Sequence, residues 1–169
     1  MIVVGLTGGI ATGKGVVARA WAAQAGVVVH DADAVVHALY APGSPLVAEL
    51  AEAFGAAILD ARGGIDRKAL GRLVFDDDGA RARLNAIVHP AVRVRYVELA
   101  EEARAAGAEV FVIEAALILD GVPDRAFFHA FVTTEVDEAE QLRRLTARDG
   151  LAEDQARKRG GAALPQAQR

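Results

Sequence analysis

Cysteine is absent from the 169-residue sequence. That absence excludes a disulfide framework, a thiolate metal site and a cysteine nucleophile. No apolar run approaches the roughly 18 residues needed to span a bilayer, although 53% of the chain is hydrophobic. The opening MIVVGLTGG has neither the basic flank nor the cleavage-like site of a secretory signal. A surplus of positive charge is missing as well: the formal net charge is −4, so electrostatics give no reason to expect nucleic acid as a partner. The expectation is a soluble cytoplasmic protein with no membrane and no nucleic-acid partner. A small anionic ligand in a local basic pocket is compatible with that charge. There is no internal repeat, and no low-complexity segment beyond a general richness in alanine.

A chain of this length is expected to form one ordinary domain, burying about two-thirds of the surface its unfolded form exposes. Four runs, IVVGL (2–6), VVVH (27–30), VFVIE (110–114) and FFHAFVTT (127–134), have the length and continuous apolarity of buried parallel strands. Helical patterns separate them. One covers Lys14 to Ala25, several amphipathic helices occupy Asp66 to Ala106, and another opens near Asp137. In that last helix acidic residues crowd the first turn and Arg143, Arg144 and Arg148 follow, as the helix dipole favours. Strands alternating with helices predict an α/β fold whose parallel sheet is covered on both faces, giving three layers. The turn signals APGSP (41–45) and DARGG (60–64) set off a helical insertion between the second and third strands. The predicted organisation is a single domain over 1–169. Its core is 1–33 and 107–140, with a helical insertion over about 34–106 and a further segment over about 141–160, which the resemblance given below implies are a substrate-binding region and a short lid. The terminal GGAALPQAQR has weak periodicity and is expected to fray.

GGIATGKGVV (8–17) has the spacing of a phosphate-binding loop: Gly8, four residues, then Gly13 and Lys14. A glycine loop between a strand and a helix turns successive N–H groups toward one point, and the helix N-terminus adds partial positive charge there. The candidate ATP-binding residues are Gly8, Gly9, Ile10, Ala11, Thr12, Gly13, Lys14, Gly15 and Val16, with Lys14 reaching the β and γ phosphates. The competing reading is a glycine-rich turn that contains a lysine by chance. One chemical group is missing: the residue after the lysine is Gly15, where the motif places a Ser or Thr hydroxyl on Mg²⁺. Mg²⁺ keeps several waters and takes much of its coordination from substrate phosphates, so water can replace that ligand. No metal ligand is assigned with certainty; Asp33 is the candidate protein contact. Thr7 and Thr12 are not at the spacing that serves the metal.

HDADAVVH (30–37) places Asp31 and Asp33 after the second strand, at the carboxyl edge of the sheet where ligands bind in open parallel sheets. A carboxylate there can accept the proton of an attacking hydroxyl or hold a metal through water. It can equally cap the helix that follows. Arg144 and Arg148 share a helical face, and a mobile segment carrying them can close over ATP. Alternatively they form a solvated basic face paired with Glu138 and Glu140. VHPAV (88–92) sets His89 before Pro90 at a helix start, and a lone histidine is more often a packed residue than a catalyst. Glu114, ending the third strand, is a weak candidate for water-mediated metal contact.

Together these stretches resemble the dephospho-CoA kinase family. GLTGGIATGKG is similar to that family's loop, and VVVHDAD to its second strand and acidic motif. GGIDRKALGRLVFDDDGARARLNAIVHPAV (63–92) resembles its substrate-side helical region ending in His-Pro. EAALILD (114–120) and QLRRLTARDGL (141–151) are similar to a substrate-side stretch and to the entry of the lid. The likeness covers nearly the whole chain, and the 63–92 segment is its most specific part. It implies a P-loop NTPase-like fold and transfer of the ATP γ-phosphate to the ribose 3′-hydroxyl of dephospho-CoA, the last step of coenzyme A synthesis. The implied substrates are ATP and dephospho-CoA, with Mg²⁺ as cofactor, in a monomer or weak homo-oligomer. By the same resemblance Lys14, Asp33 as base, and Arg144 are catalytic, and Arg148 joins Arg144 at ATP. Thr7, Asp31, Asp33, His89 and Leu117 bind the acceptor substrate.

The sequence departs from the family pattern at several points. Ala11 stands where the loop usually has glycine, Gly15 replaces the metal hydroxyl, and Ala116 replaces a usual proline. The family pattern also continues beyond the equivalent of Arg169 with a further strand and helix. Two alternatives accompany the kinase reading: a shikimate-kinase-like enzyme with a similar loop and acidic motif, and a truncated or degenerate homologue that binds nucleotide with little turnover.

Overall fold

Each of the four apolar runs contains a strand in the computed structural model, which describes residues 1–116 and 125–149; in the fourth, Phe127 ends a 3-10 turn and the strand begins at Ala130. The strands are β1 (Ile2–Gly8), β2 (Val27–Asp31), β3 (Val110–Glu114) and β4 (Ala130–Thr134). All are parallel, in the spatial order β2-β3-β1-β4. The helices are α1 (Lys14–Ala22), α2 (Ala32–Leu39), α3 (Pro45–Phe54), α4 (Arg67–Val74), α5 (Asp78–Ala105) and α6 (Glu138–Asp149). The chain divides into two compact units, Met1–Ala32 with the chain from Glu102 onward, and Asp33–Glu101.

In the first unit β1 and β3 are central, and their side chains read as apolar runs because both faces of the sheet are covered. Leu6, Phe111, Val112 and Ile113 have no exposed surface, and each such burial is worth about 1.5–3 kcal/mol. Leu6 and Val112 pack with Ala18, Val17 and Trp21 of α1. The His30 ring lies 5.4 Å from that of Phe111. The register puts Val4 opposite both Val112 and Ala130, and Gly8 opposite Thr134. From β1 the chain passes beyond β3 to build β2, and from β3 it passes β1 to build β4. The reversal of direction falls between β1 and β3, whose carboxyl ends form the crevice that such sheets use for ligands.

The second unit is built of helices around Leu46, Val47, Leu50, Ile58, Ile65, Leu70 and Val88. Pro45 opens α3, where its missing N–H costs nothing. Asp66 caps α4, accepting from the amides of Lys68 and Ala69 at 2.9 and 3.1 Å. The sequence reading needs one correction here. His89 and Pro90 do not start a helix but lie inside α5. Proline removes one backbone hydrogen bond and costs about 3 kcal/mol in a helix interior. Leu84, Ile87, Val88, Ala91 and Val92 all pack into the core of this unit on both sides of Pro90, and that burial outweighs the break. A shorter correction applies to α1, which ends at Ala22 rather than Ala25.

Among the described residues no helix is long and apolar enough to cross a membrane.

Candidate active site: the phosphate loop

β1 ends at Gly8 and α1 begins at Lys14, so the five residues between them must turn the chain sharply. Gly8 and Gly13 do so at φ 146° and 98°, where a side chain is disfavoured. Gly13 is the N-cap of α1, which has no side-chain cap bond and no acidic residue in its first turn. The helix start is therefore suited to an anion, which the helix dipole favours. Lys14 folds back over the loop, and its Nζ donates to the carbonyls of Gly8 and Gly9 at 3.0 and 2.9 Å.

Two further elements converge on this loop. Thr12, buried, donates its hydroxyl to Gly9 O at 2.8 Å, and its Oγ1 lies 2.7 Å from Oγ1 of Thr134 at the end of β4. From α6, Gln141 Nε2 donates to Ile10 O at 2.7 Å, and Arg144 Nη1 lies 3.5 Å from Ala11 O. The helix is set for this by Asp137, whose carboxylate accepts from the Glu140 amide at 2.8 Å.

Glu140 bonds both neighbouring arginines, receiving Arg143 Nε at 2.6 Å and Arg144 Nε at 2.7 Å. The Arg143 bonds, then those from Arg144, hold its carboxyl far below the ordinary carboxylate range, at about 2. This pairing is therefore complete above the unfolded-state value near 4.5 and is lost only as pH falls toward about 2. Of these arginines, Arg143 and Arg144 are placed differently. Arg143 is 70% exposed in its side chain and bonds Glu140, whereas Arg144 bonds Glu140 and also lies over the loop.

The loop region thus unites Lys14, Thr12, Gly13 and Arg144. Asp31, at the end of β2, is the Cα partner of Glu114 at the end of β3. Thr7 is 1% exposed, and its hydroxyl donates to Ala116 O at 3.3 Å. Asp33 lies in the first turn of α2 and His89 within α5, both in the second unit. Leu117, the Arg148 side chain and the distal part of the expected lid fall outside the described residues. Thr134 and Gln141 were not among the candidates read from sequence. Thr134 ends an apolar strand, and only the β1–β4 register reveals that it faces Gly8.

Gly15 sits in the first turn of α1 in helical backbone. A Cβ there would lie 3.5 Å from Arg19 Nη1 and 4.0 Å from Glu114 Oε1, ordinary contact distances. A serine side chain therefore fits. Among the described residues no group of three or more His, Asp or Glu is placed to hold a metal. Gly15→Ser is expected to raise turnover about tenfold by restoring the hydroxyl of the motif, and to sharpen the Mg²⁺ requirement. Steady-state rates across a Mg²⁺ titration check this; coincident curves for the two proteins would show that the hydroxyl contributes nothing.

The family model described as dephospho-CoA kinase matches residues 2–169. The chain belongs to the dephospho-CoA kinase family. The dephospho-CoA kinase of Symbiobacterium thermophilum is 41% identical over 94% of this chain and 66% of its own length. That of Anaeromyxobacter dehalogenans is 44% identical over 98% of this chain and 77% of its own. The chain therefore spans about two-thirds to three-quarters of the length of these kinases. A crystal structure from Thermus thermophilus superposes with a TM-score of 0.76 at 32% identity, covering 99% of this chain and 82% of that one. The dephospho-CoA kinase of Campylobacter jejuni, 24% identical, shares the fold with a TM-score of 0.59 over 93% of this chain and 77% of that one. The fold of this dephospho-CoA kinase family member is thus that of the P-loop kinases, with the parallel sheet order described above.

Proposed function

We propose that this chain transfers the γ-phosphoryl group of ATP to the ribose 3′-hydroxyl of dephospho-CoA, forming coenzyme A. The observation that carries this reading is the convergence of the Lys14 ammonium and the Arg144 guanidinium on one open loop and helix N-terminus, in a chain of this family. Phosphoryl transfer asks little covalent chemistry of a protein and depends on positioning and on neutralising charge.

In that reaction Lys14 exchanges its bonds to Gly8 O and Gly9 O for β and γ phosphate oxygens. Arg144, already beside the loop, supplies a planar donor set to the same phosphates. Loop amides from Gly9 to Val16 complete the cradle. Asp33 accepts the proton of the attacking 3′-hydroxyl, as general bases of this reaction class do, and Asp31, Thr7, His89 and Leu117 contribute to acceptor binding. Arg148 joins Arg144 on the ATP side.

The residues near Gly15 suit Mg²⁺. The Glu114 carboxylate lies close to the point where the missing side chain would begin, and Mg²⁺ is commonly held by one or two carboxylates together with substrate phosphates and water. When bound, Mg²⁺ would supply positive charge to offset the charge that develops on the phosphates. Glu114 is thus the protein group we assign to it, with Asp33 as a second. The chain acts on small molecules in the cytoplasm, as a monomer or weak homo-oligomer.

A second reading has one observation in its favour: Gly15 offers no oxygen at the usual metal position. On that reading the chain binds nucleotide and turns over little. Coenzyme A formation from ATP and dephospho-CoA, with shikimate as a competing acceptor, separates the possibilities. Product from dephospho-CoA alone supports the assignment. ATP binding without product above a Lys14→Ala control would leave the nucleotide-binder reading, and phosphorylation of shikimate would replace the substrate.

A further inference from the structure

The middle of the phosphate loop is held from outside at three consecutive residues by one segment, the end of β4 and the start of α6. Ile10 O accepts from Gln141 Nε2 at 2.7 Å. Ala11 O lies 3.5 Å from Arg144 Nη1. Thr12 Oγ1 lies 2.7 Å from Thr134 Oγ1, and since the Thr12 hydrogen goes to Gly9 O, Thr134 is the donor of that pair. Between the two firmest of these attachments, Ala11 has φ 58° and is the only non-glycine residue with positive φ among the described residues.

An alanine in the left-handed region is strained by about 1–2 kcal/mol, because its Cβ crowds the following carbonyl. Left to itself it relaxes to negative φ, and that rotation turns the neighbouring peptide planes, and hence the loop amides, away from a phosphate. A glycine at the same position would carry no such strain. Strained backbone persists only where its surroundings over-determine it. Here the surroundings are Thr134 and Gln141.

We propose that Thr134 and Gln141 are positioning residues that hold the phosphate loop in its strained, anion-receiving form, enforcing at Ala11 a conformation that glycine would adopt freely. They act through the backbone of Ile10 and the hydroxyl of Thr12, without touching the nucleotide. The inference rests on the loop's binding ATP as proposed above.

A double-mutant cycle tests it. Thr134→Val keeps the β-branched shape and removes the hydroxyl; Thr134→Ser keeps the hydroxyl. Each is made in the wild-type and Ala11→Gly backgrounds, beside Gln141→Leu in both. ATP affinity is measured by calorimetric titration, kcat and KM with dephospho-CoA as acceptor, and melting temperature without nucleotide. In the wild-type background Thr134→Val is expected to weaken ATP binding about tenfold, the scale of one part-buried hydrogen bond lost with its partner left unsatisfied. KM for ATP rises more than kcat falls, and Thr134→Ser stays within about twofold of wild type. In the Ala11→Gly background the loss from Thr134→Val or Gln141→Leu shrinks to about twofold or less, because glycine needs no enforcement. The nucleotide-free melting temperatures show the same coupling. Equal losses in both backgrounds, or no loss in the first, overturn the proposal. A wild-type protein that binds no ATP refutes the functional reading instead, and the melting cycle still decides whether the two residues enforce the loop.

Discussion

Gly8→Ala is expected to abolish measurable ATP binding, weakening it by about 100-fold or more, and to lower the melting temperature by several degrees. A Cβ at this position would stand 2.5 Å from Thr134 O, closer still to Thr134 Oγ1, and 2.9 Å from Thr12 Oγ1. Two of those atoms cannot move cheaply. Thr134 O belongs to the strand end paired with Gly8 itself, and the Thr12 hydroxyl is bound within the loop. The backbone at φ 146° is also one that L residues rarely adopt. The clash and the conformation together force β1 and β4 apart where they frame the loop. Calorimetric titration with ATP and thermal melting check the two parts separately. A variant that binds ATP within about threefold of wild type would mean that the loop opens without cost and that the packing around Gly8 is not limiting.

Lys14→Ala is expected to reduce coenzyme A formation by about a thousandfold, the effect typical of a lost charge on the transferring group. Its ammonium bonds the loop from within the loop–helix segment, at 3.0 and 2.9 Å from two carbonyls. The effect is expected to fall chiefly on kcat, because charge on the γ-phosphate oxygens redistributes in the transition state, while on the proposed reading loop amides and Arg144 still hold ground-state phosphates. Stability changes little, since the carbonyls of Gly8 and Gly9 regain water when the ammonium is removed. Single-turnover kinetics with ATP and dephospho-CoA measure the chemical step. Undiminished turnover would remove Lys14 from the chemistry and with it the assignment of the loop.

The sequence was a good guide to whatever depended on residues close in the chain. Strand β1, the loop and α1 form a local unit, and the apolar run, the glycine spacing and Lys14 specify it without help from distant segments. The start of α6 near Asp137 is legible for the same reason. Pro90 was misleading because proline breaks helices only when nothing offsets the loss, and the offset is burial against the core of the second unit. Ala11 illustrates a subtler limit. The identity of the residue raises a doubt about the backbone at that position, but only the structure assigns it φ 58°.

What the sequence determined by itself is the strand–glycine loop–helix unit and the α/β alternation, since both follow from periodicity and from spacings of a few residues. What the tertiary structure decided is which distant groups reach the cradle: Thr134, 122 positions from Thr12, and Gln141 and Arg144, 131 and 133 positions from their loop partners. The physical reason is strand order. Placing β4 beside β1, with Thr134 in register with Gly8, delivers the end of β4 and the first turns of α6 to the loop, and no periodicity along the chain encodes which strands become neighbours.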